Sequence, residues 1–293
     1  MCDHAPLDPD VNVQVERARI LARRAADLVG LVLALLALNV TSSARGEELN
    51  PLNDQLSLSI GAFLLTTNTT VRVDGSGVEG TPFNLERSLG ITNHDSFRVD
   101  GSWRFFKRHK IRLMYFDQNR SATHTINEEI VFNGQTFPVN TQLSARLDTV
   151  VAEAAYEYAF LRGQSYELSG SVGLHDLSFR LSLAAVGTTT NQSASARADV
   201  NGPLPVVGLH YVWEFAPQWH LDALAQFFSL RFDHYDGNLQ DYNASVIYMP
   251  WKNFGLGAGW NEFVTHVNVS ASGFGGNLDW RYGGVRLYFR LAY

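Results

Sequence analysis

Gly283 to Tyr293 alternate so strictly that they fix the surroundings of the segment they form. Val285, Leu287, Phe289, Leu291 and Tyr293 fall on one face of a strand, and Arg286, Tyr288 and Arg290 on the other. Successive strand side chains point to opposite faces, so this segment has one apolar surface and one charged surface. Such a strand separates an apolar medium from water. The charged face does not fit a dry core, where unpaired ionic groups are rarely tolerated.

The same alternation recurs along the chain. Gln55 to Thr66 sets Leu56, Leu58, Ile60, Ala62 and Leu64 against Ser57, Ser59 and Gly61. Phe97 to Phe105 sets Phe97, Val99, Trp103 and Phe105 against Arg98, Asp100, Ser102 and Arg104. Ile111, Leu113 and Tyr115 oppose Arg112 and Met114; Val150 to Phe160 present apolar residues opposite Glu153 and Glu157; Tyr166, Leu168 and Val172 oppose Glu167. Further on, Leu221, Ala223, Ala225 and Phe227 oppose His220, Asp222 and Gln226. Counting segments gives about ten strands, with eight to twelve as the range. The phase is expected to slip near His175-Asp176, at a bulge.

Short connections carry aromatics at their flanks: Phe105 and Phe106, Phe160 and Tyr166, Phe215 and Trp219, Trp251 and Phe254. Rings gathered at strand ends form an interfacial girdle, because amphipathic aromatics prefer the headgroup level. The fold class predicted is all-β: a closed antiparallel up-and-down transmembrane β-barrel spanning residues 45–293. The long connections, 67–95, 119–146 and 187–201, are expected to be external and mobile, with an Asn133-Gly134 hairpin standing above the membrane.

Leu28 to Val40 form an apolar run of thirteen residues behind Arg17, Arg19, Arg23 and Arg24 and ahead of Ser42-Ser43-Ala44. That order defines a secretory signal peptide over residues 1–44. At 1.5 Å per residue the run spans ~20 Å, short of the ~30 Å hydrocarbon core. The single cysteine, Cys2, lies inside the leader, so the exported chain has no disulfide, lipid anchor or cysteine metal site. Removing the leader leaves nineteen basic and twenty-four acidic residues, and no basic patch argues for nucleic acid. A mean hydropathy of −0.10 excludes a helical membrane protein.

The terminal strand, ending on an aromatic with apolar residues at every second position before it, resembles the signal by which outer-membrane barrels are recognised for assembly. Gly80-Thr81-Pro82-Phe83-Asn84-Leu85-Glu86 with Leu89-Gly90, and the hairpin Trp103 to Tyr115, resemble a segment of uncharacterised Gram-negative outer-membrane barrel proteins, loosely similar to the OmpA and OmpW class. The resemblance implies outer-membrane lipid and the barrel-assembly machinery as partners, and carries no catalytic or ligand residue.

His175-Asp176 with Ser178 and Asp233-His234 with Asp236 are the two places where the side chains that a lipid- or peptide-hydrolysing enzyme would require lie together in the sequence. Neighbours on a strand face opposite ways, so His175 and Asp176 pair only if a bulge turns one of them. His210, His220 and His266 read as lumen residues ahead of metal ligands, and Gly255 to Gly259 as small residues in a curving wall. No catalytic, cofactor or metal residue is predicted, and no cofactor. The lumen charges, Arg98, Asp100, Arg104, Arg112, Glu153, Glu157, Glu167, Asp222, Arg286 and Arg290, mix signs and fit a salt-bridged interior. The function expected is a non-enzymatic outer-membrane scaffold or surface-loop platform, exported by general secretion. A narrow small-solute pore, a hydrolase and a soluble periplasmic carrier are the alternatives.

Overall fold

The computed structural model describes residues 51–75, 77–93, 95–186, 194–232, 235–271 and 274–293, so the predicted leader 1–44 and the Asp233-His234 pair lie outside the described residues. In chain order the elements are β1 (Leu56–Val73), β2 (Phe83–Asn84), a helical turn α1 (Leu85–Ser88), β3 (Ser96–Phe106), β4 (His109–Thr125), β5 (Ile130–Phe132), β6 (Gln135–Phe137), β7 (Gln142–Arg162), β8 (Tyr166–Ala185), β9 (Ser195–Ala216), β10 (Trp219–Phe232), β11 (Tyr235–Trp251), β12 (Phe254–Ala271) and β13 (Phe274–Ala292). Ten of these strands pair antiparallel with their sequence neighbours. β13 pairs back onto β1, from Ser57↔Ala292 to Val73↔Gly276, and closes the barrel.

On one rim the turns are short. Pro217-Gln218 joins β9 to β10 with Gln218 at φ 70°, the left-handed position of a turn that proline opens. Lys107-Arg108 and Lys252-Asn253 make equally tight hairpins. This rim is the periplasmic one. Trp219 stacks on Tyr248 with ring centroids 4.6 Å apart, and Trp103–Phe105 and Trp251–Phe254 extend the aromatic ring.

Most strands are longer than a membrane requires. At about 3.3 Å per residue and a tilt near 40°, the strands of 17–22 residues rise roughly 40–55 Å, against an apolar band of roughly 25 Å. The surplus carries an inverted pattern. Below a defined level the outer face is apolar: Leu64 on β1, Tyr115 on β4, Leu174 on β8, Phe227 on β10 and Trp260 on β12 are its last members. The next outward residues are Thr66, Asp117, Asp176, Ser229 and Glu262. The inner face changes in the opposite sense, from Lys110 and Arg112 to Met114 and Phe116 on β4, and from Glu167 and His175 to Leu177, Phe179, Leu181 and Leu183 on β8. In lipid the wall is greasy outside and ionic inside, and above the membrane it is polar outside around a mainly apolar core in which Gln118 and Arg120 are also buried.

This inversion corrects the phase slip expected near His175. The register runs unbroken through Glu153↔His175 and Ala152↔Asp176, and the one irregularity between β7 and β8 lies at Ala159/Leu161. Polarity reverses there and phase does not.

The connections expected to be mobile are also packed. Phe83, Leu85, Leu89 and Ile91 are buried, as are Ile126, Ile130, Phe132 and Phe137. The Asn133-Gly134 turn forms with both φ positive, 48° and 76°, and closes β5 onto β6. The hairpin folds over the mouth, where Phe132 meets Phe83 edge to face at 6.0 Å. Glu86 reaches the β1 wall, accepting from Thr69 N at 2.8 Å and from Arg120 Nη1 at 2.8 Å. Residues 187–193 of the third long connection lie outside the described residues.

Candidate functional site in the lumen

Below the apolar tier the lumen is a lattice of ion pairs between inward residues of adjacent and of more distant strands. Arg112 on β4 donates from Nε to Glu157 at 2.8 Å and from Nη2 to Glu153 at 2.6 Å, both on β7, the adjacent strand. Arg104 on β3 grips Glu167 across the barrel on β8 through two bonds of 2.9 Å. Arg98 donates to Asp100 and, at 2.6 Å, to Asn261 Oδ1. Arg286 also donates to Asp100, and Arg290 donates to Asp54 at 2.6 Å. Asp222 receives His210 Nε2 at 3.2 Å. All ten charges singled out in the sequence therefore sit on the lumen side, and all ten are engaged.

The lattice recruits residues that the sequence did not mark as charges of the lumen. Lys110 is one of them, with its Nζ 2.8 Å from Glu157. Asp241 is fully buried on β11 and accepts from Asn261 Nδ2 at 2.5 Å. Its parity with Asn243 and Ser245, polar residues two and four positions on, was the available signal. Asp54 sits at the periplasmic end before β1, and burial pushes its carboxyl up despite Arg290.

His175 is buried, and its Nε2 lies 3.1 Å from Gln226 Oε1, while Asp176 is exposed on the outer face. The wall stands between them. Glu153, His175 and Asp241 bring three donor atoms within 4.8 Å of one another, the one cluster of metal-ligand spacing among the described residues. Arg112 and Gln226 already hold Glu153. Of the three single histidines considered, His210 is bound into the lattice, His220 is buried in the lumen near Glu214, and His266 pairs with Asp279 on the outer surface. They do not meet.

A small chamber of about 70 Å³ remains, lined by Asp54, Arg104, Lys110, Asp222, Arg286 and Arg290 among others. Above it Phe63, Phe116, Phe263, Trp280 and Tyr282 close the bore. Phe63 and Tyr282 meet the Phe116 ring edge-on at 5.7 and 5.4 Å, and Phe263 stacks on Tyr282 at 5.0 Å. All five are at most 1 % exposed.

A closed ten-stranded wall with a lipid-facing band, an aromatic rim and an ionic interior defines an integral outer-membrane β-barrel. The comparison with solved structures agrees. The chain is similar to the outer membrane protease OmpT of Escherichia coli, with a TM-score of 0.55 and 10% identity over 84% of this chain and 99% of that one. It also matches the outer membrane protein AlkL (TM-score 0.36, 10% identity, 86% and 97% covered) and Ail of Yersinia pestis (0.29, 11%, 79% and 97%), at scores too low to carry an argument. No family model matches the chain, and neither does any curated protein.

Proposed function

We propose that this protein is a sealed, non-enzymatic outer-membrane barrel that holds a rigid wall and its connections above the outer leaflet, as a scaffold or surface platform. In this reading it is exported by general secretion, loses residues 1–44 and is inserted by the barrel-assembly machinery. The observation that carries the proposal is the double closure of the bore: paired charges fill the membrane half, and an aromatic layer caps them. A ten-stranded barrel is already narrow, and wide aqueous channels belong to barrels of about sixteen strands or more. The likeness to OmpT, at 10% identity, is one of fold alone.

Planar-bilayer recording tests this. Purified protein inserted into the bilayer is expected to give no discrete conductance steps. Reproducible steps would favour the small-solute pore instead. A hydrolase is tested separately with His175→Ala: an activity on lipid or peptide substrates that this change abolishes would overturn the non-enzymatic reading.

A further inference from the structure

One seam of the wall is only partly zipped. β8 and β9 pair from Tyr166↔Trp213 to Ala184↔Ser195, and β10 and β11 from Trp219↔Tyr248 to Phe232↔Tyr235. Between β9 and β10 the ladder stops at Val207↔Phe227. Above that pair no residue of β9 is paired with the remaining residues of β10.

The chemistry of β9 explains the stop. In an antiparallel ladder each residue turns its N–H and C=O to one neighbour, alternating along the strand. Glu214 N donates to Ser165 O near the lower end of β8, and Ala185 N donates to Ala194 O at its upper end. With unbroken register between these points, even-numbered β9 residues serve β8 and odd-numbered ones face β10. The first two odd positions above Val207 are Pro205 and Pro203, which have no N–H to give. The edge facing β10 loses two successive donors where the ladder ends.

A groove of about 570 Å³ opens at this seam, a volume in the range of small-molecule sites. It is lined from both sides of the wall: Val207 and Phe227 belong to the lipid-facing band, whereas Val206 and Phe228 alternate toward the interior. Phe228 and Leu204 remain partly exposed, while the inward rings Phe63, Phe116 and Phe263 on strands away from this seam are completely buried. The groove is continuous with the outward apolar band through Val207 and Phe227. Its upper edge is polar, at Ser229 and Gln240.

We propose that the β9–β10 seam is a lateral lipid site: one acyl chain of an outer-leaflet lipid lies in the groove against Phe228, with its polar end beside Ser229 and Gln240. Apolar chain meets apolar wall on both sides, and the headgroup stays at the level where the outer face of the barrel turns polar. The site is independent of whether the bore conducts, because it enters through the side of the wall.

Bromine-labelled lipid tests it. In the full chain, Trp103, Trp213, Trp219, Trp251, Trp260 and Trp280 are changed to Phe, a single reporter is placed by Phe228→Trp, and the protein is refolded into phosphatidylcholine vesicles whose acyl chains carry bromine. Fluorescence is expected to be lost about as fully as for lipid-facing Phe227→Trp. Adding Pro203→Val and Pro205→Val restores both donors, and the loss should then shrink toward that of the interior reporter Phe116→Trp. Should the tryptophan-free chain not refold, the Cys2→Ser chain with a nitroxide at Phe228→Cys reports oxygen access instead, with Phe227→Cys and Phe116→Cys as its limits. Phe228 behaving like Phe116 in either assay would overturn the proposal, and so would quenching that the proline replacements leave unchanged.

Discussion

Arg112 holds Glu153 with both terminal guanidinium nitrogens, Nη2 to Oε1 at 2.6 Å and Nη1 to Oε2 at 3.2 Å, inside a wall where neither side chain is more than 10 % exposed. Its Nε meets Glu157 as well, but Glu157 is also held by Lys110, so Glu153 is the carboxylate whose only Arg or Lys partner among the described residues is Arg112. Arg112→Met should lower stability by about 3–5 kcal/mol, because removing one partner leaves buried charge unmatched. Urea unfolding of the refolded protein reads the loss, and Arg112→Met with Glu153→Gln should recover part of it. A single-variant loss below about 1 kcal/mol would match a solvated surface pair and contradict the lattice.

The apolar tier should behave as a core and the lipid face should not. Phe116 is fully buried among Phe63 and Tyr282, whereas Phe97 is 74 % exposed on the lipid side. Phe116→Ala is expected to cost about 3–5 kcal/mol. Phe97→Ala should cost far less in the same unfolding assay, since Phe97 packs on lipid and leaves no cavity inside. Equal losses would mean that the two faces had been exchanged.

The cap depends on a close backbone approach. A Cβ on Gly75 would lie 2.4 Å from both the Cα and the N of Gly134, and a backbone at a tight turn has little room to yield. Gly75→Ala should push the β5–β6 hairpin off the mouth at a cost of about 1–3 kcal/mol. Limited proteolysis should then cut within residues 126–141 of the variant in vesicles and spare the original. Equal resistance would show that the hairpin is held elsewhere.

Asp54 supplies a pH dependence with a definite sign. Burial raises its carboxyl above the ordinary value of 3.8, so the folded state binds this proton more tightly than the unfolded chain. The stability from its neutral form is complete below about pH 3.8 and is lost as pH rises through the raised folded value. Asp54→Asn should flatten that decline in acid unfolding curves. A steeper decline in the variant would mean that Arg290 lowers Asp54 more than burial raises it.

Much of the lower tier was legible because one rule governs it. With lipid outside, alternation at Phe97–Phe105 and Gly283–Tyr293 assigns every side chain to a face, and the closed antiparallel barrel of ten strands follows. The upper tier obeys the same alternation in a different solvent. Leu177, Phe179, Leu181 and Leu183 continue the inward series of His175, but a reading that keeps apolar residues outward sees a slip. For the same reason the stretches Asp236 to Asp241 and Phe274 to Tyr282 show no apolar-outward alternation, although both belong to strands. Phe83, Leu85 and Phe132 lie between strands and owe their burial to the mouth they fill, which no local pattern records. Lattice partners such as Arg104 and Glu167 stand 63 residues apart, and only barrel closure brings them together.

The two-tier wall is tested most directly by solvent access along β8. Single cysteines in the Cys2→Ser chain at Leu168, Val172, Leu174, Asp176, Ser178 and Arg180, each carrying a nitroxide in vesicles, report oxygen against a water-soluble relaxation agent. Oxygen should dominate through Leu174 and the aqueous agent from Asp176 upward, with a nitroxide at inward Phe179 shielded from both. Lipid-like access at Asp176 to Arg180, or aqueous access at Phe179, would contradict the account.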